Sequence, residues 1–340
     1  MAIPTPKPIL ITGATGNQGS AVLSHLLALN AASPTSPPFA LYALTRHPTS
    51  AAARALAAKS PTVHLIPGNL DNPAAIFAAV PEPLWGVYSV QLGIGQTQAA
   101  EEQQGKALVD AALAHGVRRF VYSPAARLAE SRVRVAQFES KAAIEAYLKA
   151  RAEQGEGKGE GEGEGEGEGK ALGKAKVGAE EGMTYTILQP TGFFENMKPG
   201  FQGAVFAGIL RYNLPRGYKL GFISTDDIGW FAAQAFLRPE APEYRNASIV
   251  LAGDKLSFGD VKKIYKEKMG EKLPLPVGGR LFPFLVTGLF VRELGELFRY
   301  FSQQEYEVDI AALQKLYPGL KDFAAWLEAG RRGSTATWAR

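Results

Sequence analysis

The sequence predicts an α/β fold, a doubly wound parallel sheet with a smaller, mostly helical C-terminal part. Three observations predict it. Short β-branched and aliphatic runs alternate with amphipathic helical stretches over residues 1–150, as in successive βαβ units. The first run passes directly into a turn with glycines three apart, Gly13, Gly16 and Gly19, and then into the helical pattern Ala21, Val22, Leu23, Leu26, Leu27. Towards the other end, residues 276–330 read as helices joined by loops.

Each element follows from its local pattern. Ile9–Thr12 is a strand and Ser20–Leu29 a helix; the Pro- and Ser-rich stretch Ala31–Pro38 is a loop. Ala40–Leu44 is the second strand, Ala51–Lys59 a short helix, Val63–Ile66 the third strand and Pro73–Val80 a helix. Gly86–Val90, helix Ala100–Ala114, strand Arg119–Ser123 and helix Phe138–Ala150 complete this half. The spacing then breaks. Residues 151–182 contain Gly-Glu repeats from Gly155 to Gly169, with nine Glu against five Lys or Arg, a net of −4 that leaves +8 on the rest. Such a stretch has no apolar surface to bury, and its like charges repel. It reads as a disordered insertion. Strand Thr184–Leu188 follows, then a helix from Asp226-Asp227 to about Phe236, a strand Ser248–Leu251 and a helix from Ser257 to about Met269. The domains are therefore a 1–150 core, the 151–182 insertion, 183–330 with the last core strands and the smaller domain, and a loose tail at 331–340.

Composition narrows the functional classes. The chain has 340 residues, 46% hydrophobic and 21% charged, an ordinary balance for a globular protein. It has no cysteine, so thiol catalysis and cysteine-ligated metal are excluded. His25, His47, His64 and His115 are scattered, without ligand-like pairing, so no metal is expected. The isoelectric point is near 9.0, but the net charge is only +4 and spread out, so no nucleic-acid surface is indicated. Residues 1–8 lack the apolar core of a signal peptide. The longest apolar stretch, Leu281–Val291, carries Pro283 and Gly288 and is too short to span a bilayer. These features favour a cytoplasmic location, with the nucleus as second choice.

The glycine turn carries the first chemical reading. Gly13 permits a tight turn after the strand, Gly16 lets backbone approach a pyrophosphate, and Gly19 lets the helix pack close to the sheet. Thr15, Asn17 and Gln18 lie in the same turn, and the helix N-terminus behind it favours phosphate. A glycine turn that only packs is the alternative. Arg46, after the second strand, stands where NAD-preferring sites place a carboxylate on the ribose 2′-hydroxyl; its fork suits a 2′-phosphate, so NADP is favoured over NAD. Asn69, Leu70 and Asp71 follow the third strand, beside the adenine in such a fold. Gln91, after the fourth strand, falls on the nicotinamide side.

Gly13-Ala14-Thr15-Gly16-Asn17-Gln18-Gly19, Thr45-Arg46, Gly68-Asn69-Leu70-Asp71, Phe138-Glu139-Ser140-Lys141 and Gln189-Pro190-Thr191-Gly192-Phe193-Phe194-Glu195-Asn196 together resemble the NmrA-like family, atypical short-chain dehydrogenase/reductase proteins with isoflavone-reductase-like relatives. The resemblance covers about 8–260 apart from the insertion. It implies a Rossmann-type NAD(P)-binding domain and a smaller substrate-side domain, in a family of true reductases and of non-catalytic NADP(H) sensors with regulatory partners. It also implies that Phe193, Phe194, Asn196 and Met197 roof the nicotinamide and substrate pocket; core packing is the alternative for the aromatics.

The wider superfamily carries Tyr-x-x-x-Lys on the helix after the fifth strand. Here Lys141 matches the lysine, but Gln137 stands in place of the tyrosine, and an amide has no titratable proton. By resemblance to the isoflavone-reductase-like proteins, Lys141 would hold the cofactor ribose and relay a proton. Ser123 stands where the superfamily's carbonyl-polarising serine lies, a weaker catalytic candidate. Two functions follow: an NADPH-dependent reductase of a small apolar carbonyl or enone, favoured by the aromatic stretch and apolar C-terminal helices, or a redox-sensing regulator acting through a protein partner, favoured by Gln137. Substrate and oligomeric state stay open.

Overall fold

The computed structural model describes residues 5–91, 96–127, 135–156, 182–276, 300 and 307–332. The N-terminal half alternates as the sequence predicts: β1 (Lys7–Ile11), α1 (Asn17–Ala32), β2 (Phe39–Thr45), α2 (Ala51–Ala57), β3 (Val63–Pro67), α3 (Pro73–Ala79), β4 (Gly86–Ser89), α4 (Gln98–Ala114), β5 (Arg119–Tyr122) and α5 (Ala136–Glu156). Two boundaries differ for identifiable reasons. Gly16 is the N-cap of α1, so the helix starts at Asn17 instead of Ser20. Tertiary contacts carry α5 beyond Ala150: Ala152 is buried in the core and Arg151 pairs with Asp110 at 3.1 Å. Of the expected insertion at 151–182, residues 157–181 lie outside the described residues.

Beyond it come β6 (Thr184–Pro190), β7 (Gly192–Phe193), a 3-10 turn (Phe194–Met197), α6 (Phe201–Asn213), β8 (Leu220–Ile223), α7 (Thr225–Leu237), β9 (Ala247–Leu251), β10 (Asp254–Leu256), α8 (Phe258–Met269), α9 (Ile310–Leu316) and α10 (Phe323–Arg332). The sequence reading placed no element between Met197 and Ser224, where α6 and β8 stand. Leu281–Val291 and residues 333–340 lie outside the described residues.

Seven strands form one parallel sheet in the order β3-β2-β1-β4-β5-β6-β9. The chain moves outward from β1 on one side and returns to β4 on the other, which makes the β1/β4 gap the topological switch point. Both sheet faces are covered, so the central strands β1, β2 and β4 are buried along nearly their whole length. In β1, Ile9 and Ile11 pack with α1 and α7, while Leu10 packs with α3, α4 and α5. Gly229 of α7 brings that helix against α1: a Cβ there would lie 2.6 Å from the Ala21 carbonyl carbon. At the amino end of β5, fully buried Arg119 donates to Thr184 Oγ1 (2.9 Å), Thr186 Oγ1 (2.6 Å) and the carbonyls of Ala235 and Tyr244. Burial pushes its guanidinium down to about 10, still charged at neutral pH.

A small sheet, β10-β8-β7, and helices α6, α8 and α10 enclose a third core. Ser224 caps α7, and Ser257 with Asp260 forms a capping box on α8. Lys321 ties the C-terminal segment to α7, reaching Asp226 at 2.8 Å and buried Asp227 at 2.9 Å, while His25 of α1 bonds Asp226 at 2.9 Å. Among the described residues no helix is long and apolar enough to cross a membrane.

Candidate functional site

The site lies along the carboxyl edge of the large sheet, where open α/β sheets bind ligands. At its centre β1 runs into the glycine turn. Gly13 has φ +58°, and a Cβ on it would fall 2.7 Å from Val90 Cγ1. Thr12 locks the ends of β1 and β4 together: its Oγ1 accepts from Val90 N at 2.8 Å and donates to Val90 O at 3.1 Å. A Cβ on Gly19 would meet the backbone of Gly13 and Ala14. Gly16 begins α1 with no side-chain cap and no acidic residue in the first turn. The first N–H groups of α1 therefore have no side-chain competitor for an anion. Thr15, Gly16 and Asn17 are exposed beside them.

Gln18 reaches across the edge. Its Oε1 accepts from Ser123 Oγ at 2.7 Å and from the Tyr88 hydroxyl at 3.2 Å. Burial pushes the Tyr88 phenol well above its usual range. Ser123 is the residue directly after β5, one past the strand's observed end, buried and bonded to Gln18, while Tyr122 faces the opposite core.

On the β1–β3 side, Arg46 is exposed and has no ion pair among the described residues. Asn69 is exposed and accepts from Asp71 N at 3.0 Å; Asp71 accepts from Gln104 of α4 at 2.7 Å. Leu70 leans on the second core. On the β4–β6 side, Gln91 donates to Ser89 Oγ at 2.9 Å, and both are buried. Lys141 of α5 donates to Glu101 Oε1 at 2.5 Å, and Ser140 to Glu101 Oε2 at 2.6 Å. One turn along α5, Glu145 accepts from Arg127, Lys149 and Gln189. Burial opposes its ionisation, but Lys149, Arg127 and Gln189 outweigh it and hold the carboxyl below its usual range. The side chain of Gln137 and residues 92–95 lie outside the described residues.

After β6, the residues expected to roof the pocket separate. Phe193 is half-buried and Asn196 exposed. Phe194 and Met197 belong to the third core; Phe194 packs on Phe323 and Trp326 with ring centroids 5.5 and 5.7 Å apart. Glu195, which the sequence reading did not single out, accepts from Thr225 N (3.0 Å) and Oγ1 (2.9 Å), while its Oε2 is buried without a partner among the described residues. Burial raises its carboxyl above the usual value. Glu101 was also missed. Among the described residues no group of three acidic or histidine side chains could hold a metal ion.

The fold is Rossmann-like, a seven-stranded parallel sheet flanked by helices. Residues 5–154 match the model of the NmrA-like family. An NmrA-like family domain-containing oxidoreductase, hkm9 of Aspergillus hancockii, is 33% identical over 152 residues, covering 43% of this chain and 42% of that protein. FrzB of Cladobotryum sp, with the same description, is 25% identical over 342 residues, covering 89% of each chain. The match thus spans less than half of the first relative but most of the second. Among solved structures, Citrobacter sp. triphenylmethane reductase complexed with NADP(H) superposes with a TM-score of 0.65 at 17% identity, covering 96% of this chain and 99% of that one. The NADPH-dependent quinone oxidoreductase QOR2 of Escherichia coli, complexed with NADPH, gives 0.63 at 19%, covering 94% and 99%. NmrA, a negative transcriptional regulator in complex with NADP, gives 0.59 at 16%, covering 98% and 99%. At these identities the likeness establishes the fold.

Proposed function

We propose that this chain binds NADP(H) across the carboxyl edge and is an NADPH-dependent reductase of a small, apolar carbonyl or enone. The observation that carries the reading is the fit of the edge to a dinucleotide: a cradle that a Cβ on Gly13 or Gly19 would fill, and a helix start without a side-chain cap. Exposed, unpaired Arg46 supports the 2′-phosphate, and Asn69, Leu70 and Asp71 lie on the adenine side. Lys141, Gln91, Phe193 and Asn196 lie on the nicotinamide side. The bound nicotinamide would supply the hydride. Lys141 would hold the ribose and deliver a proton to the substrate oxygen. Ser123 would hold Gln18 against the edge. The relatives named as oxidoreductases and the reductases solved with NADPH or NADP(H) support the same reading.

A second reading has its own support. Gln137 replaces the usual proton-donating tyrosine, and a regulator shares the fold. In that reading the chain binds NADP(H) without turnover and signals to a protein partner. In either reading 1–150 is the dinucleotide domain, 183–330 supplies the substrate side, and the protein works in the cytoplasm or nucleus.

Purified protein titrated with NADPH and NADH, then mixed with aldehydes, quinones and enones while reduced nicotinamide is followed by absorbance, tests both. Tight NADPH binding with turnover that is lost in Lys141→Ala supports the reductase. Tight binding without oxidation across the panel supports the sensor. Binding of neither nucleotide overturns both.

A further inference from the structure

The Lys141–Glu101 pair asks for an explanation that the fold does not supply. Glu101 is 3% exposed, with one oxygen on the Lys141 ammonium and the other on the Ser140 hydroxyl. The Lys141 side chain is 12% exposed. A buried ion pair is a poor device for stability, because desolvation offsets the attraction and apolar residues fill the same volume as well. The neighbourhood offers that alternative: Ile144 of the same helix packs into the space left by Gly105 of α4. What the pair provides is direction. An ammonium has three donors, and the carboxylate takes one. Glu101 stands on α4 after β4 and Lys141 on α5 after β5. The pair therefore sits at the β4–β5 end of the edge, across the switch point from Arg46.

We propose that Glu101 is a positioning residue: it fixes the Lys141 ammonium on the nicotinamide side, leaving its remaining donors for the hydroxyls of a bound ribose. The inference rests on the NADP(H) reading above. It separates two halves of one ligand. Glu101 serves only the part of the cofactor that reaches Lys141, whereas the adenosine fragment bearing the 2′-phosphate ends before it.

The test compares NADPH with the adenosine bisphosphate fragment that carries the 2′-phosphate, each titrated into wild type, Glu101→Gln, Lys141→Met and the double variant. Glu101→Gln is expected to weaken NADPH roughly ten-fold or more, the scale of a lost charged hydrogen bond, and to leave the fragment unchanged. In the Lys141→Met background, Glu101→Gln is expected to cost NADPH nothing further, since its effect runs through the lysine. This second comparison answers the question even where Glu101→Gln alone does not fold, because the double variant leaves no unpaired buried charge. Unchanged NADPH affinity in Glu101→Gln, equal weakening of both ligands, or further NADPH loss in the Lys141→Met background overturns the inference. Wild type that binds the fragment or NADPH not at all overturns the NADP(H) reading and the inference with it.

Discussion

On the β1–β3 side of the carboxyl edge, Thr15, Asn17, Arg46 and Asn69 stand exposed, and Arg46 has no ion pair among the described residues. On the β4–β6 side the polar groups are already engaged: Lys141 with Glu101, Ser123 with Gln18, Gln91 with Ser89. One half of the edge leaves Arg46 for a ligand to satisfy, although Asp71 there already accepts from Gln104; the other is organised before any ligand arrives. This is the division expected where one half must recognise and the other must orient, because an oriented group acts without reorganising when the substrate binds. The halves should therefore fail differently. A substitution on the open half should alter binding and leave folding alone, whereas one on the organised half should touch both.

The largest effect is expected at the turn both halves share. A Cβ on Gly19 would lie 2.6 Å from the Gly13 carbonyl carbon and 2.8 Å from Ala14 Cα, backbone that cannot rotate away. Gly19→Val should force α1 off the turn, cost about 3 kcal/mol by overpacking and abolish detectable NADPH binding. Denaturant melts and nucleotide titration check it; near-wild-type behaviour in both would show that the turn has room the geometry denies. Next comes Arg46→Ala on the open half. Loss of a charge-assisted contact to a 2′-phosphate should weaken NADPH by about 1.5–3 kcal/mol and leave NADH affinity as it was. Stability should stay within about 0.5 kcal/mol of wild type, since Arg46 is exposed and unpaired. Equal weakening of NADPH and NADH would remove the 2′-phosphate assignment.

The two halves were also unequally legible in the sequence. The glycine turn, β1 and Arg46 follow from local spacing: a strand period, three glycines, a cation at a strand end. Glu101 does not. It lies in the run Glu101-Glu102-Gln103-Gln104, where nothing local says which carboxylate is buried. That choice is made by the docking of α4 on α5, where Gly105 admits Ile144. Ser123 falls one residue beyond the strand that local pattern gave it, and its bond to Gln18 joins residues 105 apart in sequence and cannot be read from either neighbourhood. Elements failed for the same reason. β8 has four residues and β10 three, too few for a period, and each exists because the other pairs with it.

The smallest expected effect separates organisation from mere burial on the β4–β6 side. Tyr122 is fully buried at the end of β5, and its hydroxyl has no hydrogen-bond partner among the described residues. Burial raises the phenol well above its usual value, and the charges of Glu101 and Glu145 push it further. A buried donor without an acceptor costs stability, about 1–3 kcal/mol, and phenylalanine fills the same space without that cost. Tyr122→Phe should therefore raise the unfolding free energy by up to about 1 kcal/mol and leave NADPH affinity untouched, as read by urea midpoint and titration. If stability falls instead, an ordered water satisfies the hydroxyl. If NADPH affinity falls as well, the oriented cluster reaches beyond Glu101 and Lys141 to the strand itself. The contrast between the two halves would then be one of depth, with the open half one residue layer thick and the organised half extending into the core.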